Sequence, residues 1–79
     1  MNDFFLVVRF NVNKTTGAEQ HSTQRYEDEV QARKRFYNIL AADIDTDVYE
    51  YEFVQIVRSD GAVIANQVFD FREVVEEAE

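Results

Sequence analysis

Apolar and polar positions alternate with a period of two along residues 4–12 (FFLVVRFNV), placing Phe4, Leu6, Val8, Phe10 and Val12 on one face and Phe5, Val7, Arg9 and Asn11 on the other. With their β-branched and aromatic content, these residues predict a strand. Asn13-Lys14-Thr15-Thr16-Gly17 is a turn signal, because Gly17 takes the positive φ that closes a hairpin at little steric cost. Residues 19–26 (EQHSTQRY) then predict a polar return strand, suited to a sheet edge where neither face is fully covered.

The period changes at Asp28. Asp28-Glu29-Val30-Gln31 has the form of a capping box, and its acidic residues complement a helix dipole. A helix is predicted from there to about residue 42, ending near Asp43, with Ala32, Phe36, Ile39 and Leu40 as its apolar stripe and Tyr37 at the margin. Alternation returns at 48–58 (VYEYEFVQIVR), where Tyr49, Tyr51, Phe53, Gln55 and Val57 share one face and Glu50, Glu52, Val54 and Ile56 the other. Ser59-Asp60-Gly61 is a hairpin turn, and 62–71 (AVIANQVFDF) the last predicted strand.

The resulting order is ββαββ. A right-handed crossover from the second strand through the helix to the third gives an α+β fold: a four-stranded antiparallel sheet of order 2-1-3-4 with one helix on one face. Residues 1–72 are expected to form a single domain and 73–79 an acidic C-terminal tail. One short helix covers only part of such a sheet. Because the first and third strands carry apolar side chains on both faces, an aromatic-aliphatic patch is expected on the face away from the helix.

Composition sharpens this picture. The 79 residues are 46% apolar and 14% aromatic, with sixteen carboxylates against eight Lys and Arg, for a formal net charge of −8. At this size a single core supplies only about 3–5 kcal/mol. With no cysteine and one histidine, disulfides and a structural zinc site are excluded as staples, which favours self-association. The negative charge disfavours nucleic acid and anionic membranes and favours basic partners. No signal-peptide pattern or membrane-spanning apolar run is present, so a cytoplasmic setting is expected.

Asp43, Asp45 and Asp47 (DIDTD) resemble the first ligands of a calcium loop, but Val48 and Val54 stand where its turn glycine and bidentate glutamate belong, so the segment is expected to be a solvated loop. Carboxylates beyond a helix C-terminus also oppose its dipole, a conflict that a nearby arginine or a basic partner relieves. Glu50 and Glu52 share a strand face, yet an acid/base pair needs a cleft and separated environments. His21 and Ser22 point to opposite faces and form no nucleophile-base pair, and no acyl-transfer motif surrounds His21 and Thr23. Arg33-Lys34-Arg35 lies beside Glu27, Asp28 and Glu29, which points to helix-surface ion pairs such as Glu29 with Arg33. No catalytic, metal or cofactor site is expected, and the chain is not expected to be an enzyme.

The segment 28–64 carries Ala32, Phe36, Ile39, Leu40, Asp60, Gly61, Val63 and Ile64 in an arrangement of A-x-x-x-F-x-x-I-L, then D-G and x-V-I. In this it resembles short uncharacterised proteins of bacteriophages and prophages. The resemblance covers about half the chain and implies a bacterial or phage cytosolic setting, with no activity, cofactor or functional residues to carry over.

The expected function is that of a noncatalytic interaction protein, a homodimer or the binder of a protein partner, using an exposed sheet face or edge. Its expected contact residues are Phe5, Val7, Tyr49, Tyr51 and Phe53, since large aromatics dominate interface energetics. The alternative is an acidic mimic of nucleic-acid phosphates that inhibits a host nuclease or defence complex through Asp43, Asp45, Asp47, Glu50 and Glu52 together with the terminal glutamates.

Overall fold

The computed structural model describes residues 3–71. Their elements are β1 (Phe5–Asn13), β2 (Glu19–Tyr26), α1 (Glu29–Asp43), β3 (Tyr49–Arg58) and β4 (Val63–Asp70). They build the expected α+β fold, a four-stranded sheet of order β2-β1-β3-β4, antiparallel throughout, with α1 packed on one side. Predicted boundaries differ from these by about a residue. The tail expected at 73–79 lies outside the described residues.

Local chemistry fixes both hairpins. Asn13 Oδ1 accepts from the amides of Thr15 and Thr16, and Gly17, at φ +74°, returns the chain into β2. In the second turn Gly61 sits at φ +92°, and Asp60 Oδ1 accepts from the Ala62 amide. Arg58 donates to both oxygens of Asp60 and, with that amide, holds its carboxyl below the usual range. The helix begins where its cap predicts, with the Asp28 carboxylate accepting from Val30 N at 2.9 Å.

Strand register decides which side is core. Across the two central strands Val7 pairs with Ile56 and Arg9 with Val54, so the odd positions of β1 and the even positions of β3 face α1. Phe5, Val7, Val54 and Ile56 pack there against Ala32, Phe36 and Ile39, with Tyr26, Leu40, Ile64 and Ala65 at the edge of the cluster. Burying each large side chain contributes roughly 1.5–3 kcal/mol. Phe5 and Val7, expected as contact residues, are therefore core residues, 7% and 2% exposed. Alternation left open which face of β1 the helix covers, and a one-residue choice exchanges the two sets.

Candidate functional site

Two features remain once the core is assigned: the sheet face turned away from α1, and a cluster of charges at the polar end of the helix side.

The first is nearly free of charge. Pairing places Val12 beside Tyr51, Phe10 beside Phe53, Val8 beside Gln55 and Leu6 beside Val57, all on the face opposite the helix. Phe10 stacks on Phe53 with centroids 5.5 Å apart, and Tyr51 meets both rings edge-on at 6.2 and 6.5 Å. These residues are half-buried, and no described element packs over them. Val68, paired with Phe53 from β4, is 43% exposed. Among the described residues, register places three charges on this face: Glu19 and Arg25, at opposite ends of β2, and Asp70, at the end of β4 beside Tyr51. All three lie at corners of the sheet. Arg25 is held over the Phe4 ring at 4.0 Å from its centroid and bonds Glu27 at 2.8 Å.

The second feature centres on Arg9, the charged residue in an otherwise apolar run. Its Nε donates to Glu52 Oε2 at 2.6 Å and its Nη2 to Asp43 Oδ2 at 2.7 Å, joining β1, β3 and the end of α1. Asn11 Nδ2 reaches the same Glu52 oxygen at 3.4 Å, and the Arg9 guanidinium lies 5.7 Å from the centre of the Tyr49 ring. Glu52 is wholly buried, so desolvation pushes its pKa from the ordinary 4.5 to about 7; the neighbouring Asp43 carboxyl adds to the rise and Arg9 opposes it. Burial alone lowers Arg9, but its bond to Glu52 and the charges of Glu52 and Asp43 raise it overall. Asn11 Oδ1 and Glu52 Oε1 are buried acceptors without a protein hydrogen bond.

A polar groove of about 370 Å³ opens beside the cluster, lined in part by Arg9, Asn11, Gln20, Ser22 and Tyr49. Arg9, its cation, is already held by two carboxylates. An anionic ligand would have to displace those bonds to use it, which makes the groove a poor anion site.

Three expected site residues are thus placed differently. Asp43 and Glu52 were expected on an acidic contact surface; both are buried on Arg9, at 7% and 0% exposure, because the helix end needs a cation and β1 presents one on the same face. Tyr49 was expected to share a face with Tyr51 and Phe53. A register shift between Val12 and Asn13 sets it opposite Asn13 and beneath Arg9, on the helix side. Tyr51 and Phe53 do lie on the open face. Asp45 and Asp47 are exposed in the loop after α1, and Glu50 is half-buried at the start of β3.

Arg9 and Asn11 went unrecognised as site residues. Their signal was present: a lone arginine two positions before an asparagine, on the same face of an apolar strand.

Fold and surface together define a class, an open-faced antiparallel α+β domain with a buried ion cluster. Among known proteins, no family model, no curated protein and no solved structure matches this chain.

Proposed function

We propose that this protein is a noncatalytic interaction protein that associates through the open face of its sheet, with a second copy of itself as the partner. The observation that carries the reading is the Phe10–Tyr51–Phe53 ring cluster, set among Leu6, Val8, Val12, Val57 and Val68 on a face no described element covers. Aromatic centres with charge confined to the rim are the composition of interface cores. A bacterial or phage cytoplasm is the setting the sequence resemblance supports. No described helix is long and apolar enough to cross a membrane.

The acidic-mimic reading draws less support, since Asp43 and Glu52 are occupied by Arg9 within the fold. Light scattering coupled to size exclusion tests the proposal. A mass near twice 9.3 kDa is expected for the wild type and near 9.3 kDa for Phe53→Glu. Val68→Glu, at an exposed edge position, tests the same face with little risk to folding. A wild-type monomer at all accessible concentrations overturns the reading.

A further inference from the structure

Resting on that reading, we infer that the two copies pack their open faces together with strands antiparallel, about a two-fold axis that runs across the strands, so that Glu19 of each copy meets Arg25 of the other. Pairing divides the face into rows. Glu19, Val12, Tyr51 and Asp70 form one end row; His21, Phe10, Phe53 and Val68 the next; Thr23, Val8, Gln55 and Asn66 the third; Arg25, Leu6 and Val57 the last. Two closed arrangements bring such faces together, and the rows distinguish them.

With the axis along the strands, each row meets itself. Phe10 then opposes Phe53 of the second copy while Val8 opposes Gln55, so bulk collides in one row and a gap opens in the next. With the axis across the strands, the rows exchange. The aromatic row settles on the Thr23, Val8, Gln55 and Asn66 row, and Tyr51 with Val12 lies over Val57 and Leu6. Large side chains then face smaller ones, and Glu19 meets Arg25 twice, once on each side of the axis. Eight residues of strand at about 3.3 Å and four strands at about 4.8 Å give a face on the order of 500 Å². Counting both copies, roughly 1,000 Å² is enclosed, the lower bound for a specific interface.

Charge exchange tests the arrangement on the intact chain, reading the dimer dissociation constant at low salt. Glu19→Arg and Arg25→Glu are each expected to weaken the dimer about tenfold by setting like charges against each other, and the double variant to recover most of the loss. A second readout uses the absence of cysteine: Thr16→Cys carries a spin label at the tip of the first hairpin. Antiparallel packing sets the two labels about 40 Å apart, and parallel packing about 15 Å. A dimer with a short label distance, or without charge rescue, overturns the arrangement and leaves the proposed function standing. A monomer overturns both.

Discussion

Arg9 and Glu52 meet across the two central strands through an Nε to Oε2 hydrogen bond of 2.6 Å, with the glutamate carboxylate wholly buried. Arg9 pairs in register with Val54 rather than Glu52, so the contact is a diagonal one that only long side chains span. Asp43 closes the cluster from the end of α1, leaving one arginine between two carboxylates.

Burial of Glu52, with Asp43 beside it, makes stability depend on pH. Glu52 binds its proton more tightly in the folded state, at about 7 against an ordinary 4.5. The stabilisation is fully present below about pH 4.5 and is lost as pH rises through 7, reaching on the order of 3 kcal/mol for a shift of this size. Urea midpoints should therefore fall between pH 5 and 8 (about two midpoints per pH unit suffice) in the wild type, beyond any general charge effect. Glu52→Gln, neutral at every pH and able to bond both Arg9 and Asp43, should flatten that slope. An unchanged slope in the variant would assign the dependence elsewhere.

Removing the cation should be worse than removing the acid. Arg9→Met leaves two carboxylates near one another without a counter-charge, and a loss of about 3–5 kcal/mol is expected. The double variant Arg9→Met, Glu52→Met should recover much of it, since a paired ionic group exchanged for apolar bulk is often neutral. Denaturation of the single and double variants, with Glu52→Gln as the comparison for removing the acid, measures the recovery.

The Asp60-Gly61 turn gives a backbone test. A methyl group at Gly61 meets nothing within 4 Å, yet the residue sits at φ +92°, which L side chains rarely adopt. Gly61→Ala should cost about 1 kcal/mol or more by conformation alone. A neutral thermal midpoint would show that the turn relaxes.

Salt separates self-association from a basic partner. Each copy carries a net charge of −8 and the described residues of the open face hold charge only at its corners, so screening should tighten the dimer as salt rises from about 50 to about 500 mM. The two Glu19–Arg25 contacts weaken in the same range, and the expected net change is a modest strengthening. Steep weakening, read by light scattering, would mark an interaction carried by opposite charges.

Alternation, a helical stripe and two glycine turns made the topology legible, because each element's period and its punctuation agreed. What stayed hidden was which of two apolar faces the helix covers: Phe5 and Val7 on one side and Leu6 and Val8 on the other are equivalent by hydropathy. The polar pair Arg9 and Asn11 breaks that tie, since the helix end carries an acid that needs the arginine and Glu52 beside it takes bonds from both. Tyr49 escaped because a single extra residue opposite Asn13 reverses its face, and no residue type marks that bulge.

The placement of Arg9 bears on the order of folding. The β1–β2 and β3–β4 hairpins are local, but the central β1–β3 ladder joins segments that lie on either side of the helix in sequence. Loop closure across that distance is the slow event expected for such a topology. The arginine draws its partners from β3 and from the end of α1, so its contacts are complete only after the halves have joined. The cluster is thus a late-closing clasp: substitutions there should chiefly accelerate unfolding, whereas weakening either hairpin turn should slow the approach to the native state.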